Sequence, residues 1–165
     1  MANIAAENGQ IELCVLAKNW STYKTSETTL STVDPNDILR FAAAGGHKTL
    51  CEIAKNWGAT DFNRALKFAT RKGQKDTCVL MKNFGATDFD GMLRKAARHG
   101  NRELCILARE WGATDFAGML AHAENGKEED CASPSGYLGV FLLMAPRKRH
   151  SEICDLADKW IAESQ

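Results

Sequence analysis

Six cysteines and four histidines are the residues of this 165-residue chain best suited to chemistry. The cysteines stand at 14, 51, 78, 105, 131 and 154, and the histidines at 47, 99, 122 and 150. Such a set suits zinc binding, or catalysis by a thiolate that a histidine activates. Zinc sites commonly draw two ligands from one short loop as Cys-x-x-Cys, and the sequence contains no such pair. None of the histidines lies in a known nucleophile motif, and there is no glycine-rich phosphate loop. The pattern therefore points away from a metal, a cofactor and an enzyme. Each cysteine reads instead as a small apolar residue of a core, a role that free cysteine fills. Disulfides are disfavoured as well, since reducing compartments oppose them and cysteines one repeat apart, at ~10 Å, exceed the span of a bridge.

The cysteine spacing belongs to a longer phrase. Cys51, Cys78 and Cys105 are 27 residues apart, and so are Asp61, Asp88 and Asp115 in NWGATDF, NFGATDF and EWGATDF. A fixed period between about 20 and 50 residues marks a solenoid, in which each unit buries its apolar face only against its neighbours.

Within the unit from Asp61, the apolar residues Ala65, Leu66, Phe68 and Ala69 recur at helical spacing and predict a first helix. Beyond Gly73, the set Thr77, Cys78, Leu80, Met81 and Phe84 predicts a second helix, which Gly85 ends by taking the left-handed conformation. Thr60 with Asp61, Thr87 with Asp88 and Thr114 with Asp115 then offer N-caps to the next first helix. GATDF thus joins a stop signal to a start signal. Asp34 is followed by Pro35, and proline is favoured at the first helical position, so Asp is expected to be the cap.

These signals divide the chain into a half cap at 1–20, a Ser/Thr-rich loop insertion at 21–33, and whole units at 34–60, 61–87 and 88–114. A truncated unit at 115–135 and a C-terminal cap at 136–165 follow, with YLGVFLLMAPRKR as the first helix of that cap. The six cysteines then share one repeat position. A rival division makes Lys127 to Arg149 a single insertion within one last repeat, and leaves Cys131 unexplained. The expected fold is an all-α solenoid of stacked helix-turn-helix units.

With the units aligned, the chain resembles the ankyrin repeat. Ala42, Ala43, Gly46, His47, Leu50, Ile53, Gly58 and Ala59 match its consensus, as do Ala96, Ala97, Gly100, Leu104, Leu107, Gly112 and Ala113. The Thr-Pro-Leu-His opening is absent, and the unit is about six residues shorter than the ~33-residue ankyrin repeat. The resemblance implies tight turns where ankyrin units project a β-hairpin. WGATDF in a short unit is similar to ankyrin-like repeat proteins of giant DNA viruses, the marseillevirus group in particular, which implies a repeat scaffold in a viral or host-cell setting. In such units a histidine at the position of His47 and His150 ties neighbouring turns, and the first helix lines the concave face.

Lysine plus arginine and aspartate plus glutamate number 21 each, so no global attraction to polyanions is implied. The first residues show no basic leader followed by a long apolar stretch, and the longest apolar run is too short for a membrane span, so a soluble intracellular protein is expected. The recurring Trp20, Trp57, Phe84, Trp111 and Trp160 could form a stacking ladder, but their fixed place at the end of the second helix favours packing between repeats. The variable surface is the first helix. Arg40, Lys67 and Arg94 replace the ankyrin histidine in successive units and are expected to form a basic column, flanked by Arg64 and Arg71 and by Lys95 and Arg98. That column is either a solvated face or the docking site of an unidentified acidic protein. Nucleic-acid or phosphate binding through the same column is the alternative function.

Overall fold

The computed structural model describes residues 2–22, 33–129 and 145–163, with side chains for 2–19, 33–123 and 150–163. Most of the expected loop at 21–33, the end of the expected truncated unit with Cys131, and the segment 137–144 lie outside them. The chain forms two compact units, Met1–Thr87 and Asp88–Gln165.

The first unit holds α1 (Ala2–Glu7), α2 (Ile11–Thr22), α3 (Pro35–Gly45), α4 (Lys48–Asn56), α5 (Phe62–Arg71) and α6 (Lys75–Phe84). Helices α1, α3 and α5 pack side by side, and each pairs with the helix that follows it. The second unit holds α7 (Phe89–Arg98), α8 (Arg102–Glu110), α9 (Phe116–Glu129) and α10 (Ala145–Glu163), with α7 against α8 and α9, and α10 against α9. No strand occurs among the described residues. Tight turns thus connect one helix pair to the next, as the short period requires.

Small residues allow this stacking. Ala42, Ala43, Ala69, Ala96 and Ala97 are fully buried on the first helices, where a larger side chain would hold neighbouring helices apart. Leu50, Leu104 and Ile153 fill the same place on α4, α8 and α10, and Thr77 takes it on α6.

The GATDF phrase acts as both signals. Gly58, Gly85 and Gly112 have φ of 96°, 107° and 99°, a conformation that costs a side-chain-bearing residue energy. The following alanine amides donate to the carbonyls of Ala54, Met81 and Ala108 at 3.0 Å. One turn later, Asp61, Asp88 and Asp115 accept from the amides of Arg64, Gly91 and Gly118 at 3.1, 2.8 and 2.9 Å. Asp34 caps α3 by accepting from Asn36 N, with Pro35 in the first turn.

In the last described helix, α10, PRKR of the expected first helix of the cap runs on into HSEIC without a break, so His150 sits inside one helix. Pro146 is tolerated there because it falls in the first turn. Phe116 meets Trp160 at 5.5 Å between ring centroids, the contact that Phe89 makes with Trp111 at 5.6 Å. In packing, α10 therefore stands to α9 as α8 stands to α7.

Candidate functional site

The side chains that suggested chemistry are built into the framework. Cys14, Cys51, Cys78 and Cys105 are free and buried, and Cys154 is half-buried. Burial disfavours the thiolate and pushes the thiols of Cys51 and Cys105 up to about 12 and that of Cys78 up to about 11, with Cys14 raised as well. Thr70 donates its hydroxyl hydrogen to Leu66 O at 2.7 Å, which leaves its oxygen to accept from the Cys78 thiol at 3.6 Å. Such thiols are poor nucleophiles. Among the described residues, no group of three or more His, Cys, Asp and Glu could hold a metal ion.

His47 Nε2 donates to Glu7 O at 2.9 Å, and His150 Nε2 to Arg98 O at 3.1 Å; a carbonyl can only accept, which assigns the proton. Each imidazole closes the end of the preceding unit's first helix, whose last carbonyls lack helical partners. His99 is exposed at the end of α7, and His122 is half-buried on α9.

The aromatics at the ends of the second helices meet a phenylalanine of their own unit first. Phe62 pairs with Phe84 at 5.6 Å, and Phe89 with Trp111. Between neighbouring units the same rings take cations, with Lys18 over Trp57 at 4.7 Å, Lys55 over Phe84 at 4.2 Å and Arg109 over Trp160 at 4.7 Å. The packing expected between repeats is thus an intra-unit ring contact plus an inter-unit cation. The side chain of Trp20 lies outside the described residues.

The basic residues separate by environment. Arg40 on α3 forms an ion pair with Asp37 at 3.2 Å, and its guanidinium lies 4.7 Å from the Phe41 ring and 5.5 Å from that of Phe68. Its side chain is only 18% exposed, so it is largely committed to the framework. Arg94 on α7 pairs with Asp115. Lys67 is half-buried, as are Lys95 and Arg98. Arg64 and Arg71 are exposed, and with Lys67 they occupy one face of α5 at i, i+3 and i+7. Lys72, just beyond that helix, reaches Glu7 at 3.0 Å. An open hollow of about 460 Å³ lined by Arg102, Glu152, Asp155, Leu156 and Lys159 carries both signs of charge.

Sequence reasoning passed over a second set of residues. Asn36 Oδ1 accepts from Thr60 N and Asp61 N at 2.9 and 3.0 Å, Asn63 Oδ1 from Thr87 N at 2.7 Å, and Asp90 Oδ1 from Thr114 N and Asp115 N at 2.7 and 3.0 Å. Residues 36, 63 and 90 share the 27-residue step, which was the signal available to find them.

The paired helices, left-handed glycines and tight turns define an ankyrin-like helical repeat fold. Among solved structures, the chain is similar to the crystal structure of the human ASB11 ankyrin repeat domain, at 16% identity and a TM-score of 0.54, over 96% of this chain and 82% of that one. No family model and no curated protein matches the sequence. No described helix is long and apolar enough to cross a membrane.

Proposed function

We propose that the chain is a non-catalytic scaffold for protein–protein recognition, intracellular and in a virus–host setting, which docks an acidic protein surface on a basic first-helix face. The observation that carries this reading is the composition of α5. It bears Arg64, Lys67 and Arg71 and no acidic residue, while its buried side holds Ala65, Leu66 and Ala69. Arg40, engaged with Asp37, flanks that face rather than centring it, and Arg94 of the second unit is engaged with Asp115. In the second unit, α7 carries Lys95 and Arg98 in its last turn and is basic in its own right. Support for the viral setting is the resemblance of the WGATDF unit. The domain reading that goes with this proposal counts α9 and α10 as the two helices of one closing unit, because Trp160 meets Phe116 as Trp111 meets Phe89.

Replacing Arg64, Lys67 and Arg71 together by Glu tests the proposal. The variant is expected to keep its thermal midpoint and to lose its acidic partners in a pull-down from infected or host cells. Retention of the same partners would move recognition to residues 21–33 or 127–149. If the partner is nucleic acid instead, the affinity of the wild-type chain falls with salt at a slope of about −0.9 per phosphate contacted.

A further inference from the structure

The basic face of α5 carries more than charge. Phe68 stands between Arg64 and Arg71 on that face, so each arginine is about one helical turn from the ring. Phe41 of α3 meets Phe68 edge to face at 6.3 Å between ring centroids, and both rings are half-buried. One repeat further on, the position of Phe41 and Phe68 holds Lys95, which is half-buried on α7. A charged chain is thus accepted there, and the framework does not require a ring. The next residue behaves otherwise, since Ala42, Ala69 and Ala96 are alanine in all three helices and fully buried.

We infer that Phe41 and Phe68 form the apolar centre of the basic face, which takes a short acidic segment whose own aromatic or aliphatic side chain lies between carboxylates. The inference rests on the reading of α5 as a docking surface and names the chemistry of its partner. Charge complementarity is one half of the argument, because Arg64, Lys67 and Arg71 flank Phe68 and α5 contributes no carboxylate. The rings are the other half. Apolar contact at the centre of an interface carries most of its affinity, whereas charges at the rim steer and select. The geometry favours a peptide over single-stranded nucleic acid. The Arg40 guanidinium lies over both rings, 4.7 Å from that of Phe41 and 5.5 Å from that of Phe68, and the two ring planes meet at 61°. They do not offer the parallel platforms on which successive bases stack.

Fluorescence anisotropy of the full chain with labelled peptides tests the inference. One peptide is a run of glutamates with a single central phenylalanine, and the other has serine in place of that phenylalanine. The wild type is expected to bind the first about tenfold more tightly, the ratio that burying part of one aromatic side chain supplies. That ratio should persist as salt weakens both, because apolar contact is not screened. Phe68→Lys should still bind the serine peptide and should lose the preference. Far-UV circular dichroism checks that this variant folds, and the comparison of the two peptides on the wild type stands without it. Equal affinity of the wild type for both peptides overturns the inference and leaves a purely electrostatic face. Failure to bind either peptide overturns the reading of α5 itself. Tighter binding of a single-stranded oligonucleotide than of the phenylalanine peptide also overturns the inference.

Discussion

Arg94 forms an ion pair with the Asp115 carboxylate oxygen that is not engaged in capping α9. One carboxylate thus ends the turn, holds the first helix and neutralises a basic residue of the preceding one. The hydrogen bond from Arg94, with that from the Gly118 amide, holds the Asp115 carboxyl below its ordinary range.

Arg94→Glu should therefore destabilise the fold, whereas Arg64→Glu should not. The pair is more than a third exposed on the arginine side, so the loss is about 1 kcal/mol, or ~2–4 °C in a melt. Because the Asp115 value is depressed on folding, its contribution is present above about pH 4 and is lost as pH falls through the folded value. Arg94→Gln should reduce that acid-side loss. Equal melts for Arg94→Glu and Arg64→Glu would show that the pair adds nothing.

Asn36→Ala should cost about 1–2 kcal/mol, since two amides of the following turn lose their acceptor. Asn36→Asp should be close to neutral, because Asp90 performs the same task in α7. Denaturant titration separates the two, and an alanine variant as stable as the aspartate variant would refute the role.

Thr77 is the polar member of a position otherwise filled by Leu50, Leu104 and Ile153, and its buried hydroxyl has no hydrogen-bond partner among the described residues. Thr77→Val keeps the shape and removes the unsatisfied group. A gain of about 1 kcal/mol is expected, measured by the denaturation midpoint. A loss would mean that the hydroxyl is satisfied in solution.

The buried thiols give an alkaline signature. Their folded values lie above the unfolded one, so the stability they confer is complete below about pH 9 and declines as pH rises towards the folded values near 11 and 12. Replacing Cys51, Cys78 and Cys105 by Ala should flatten this decline relative to the wild type. In the native protein these thiols should react with a disulfide reagent at pH 8 only on unfolding, whereas rapid native labelling would contradict their burial.

Much of the fold was legible because its determinants are local. Gly85 and Asp88 each act within a turn, and the 27-residue step aligns them without reference to anything distant. The pairing of α10 with α9 was harder to read, since the residues between them break the period and Trp160 finds Phe116 across 44 positions. The candidate surface was legible in composition only. A sequence places Arg40 on a first helix, but the path of its long side chain over Phe41 and Phe68 depends on packing between two helices. The residues at 36, 63 and 90 carried the period in plain view, yet short polar residues in a first turn also suit local capping, which hid their reach into the next unit.

The bonds from those residues run in one direction. The units that begin at Asp34, Asp61 and Asp88 each carry the acceptor that shapes the turn opening the next unit. A 27-residue block copied in frame therefore arrives with both halves of its boundary already written, and lengthening the array requires no compensating change at the seam. Cutting the array is unequal at the two ends: removing a unit from the back leaves an acceptor that water can satisfy, whereas removing one from the front strips the following turn of its template.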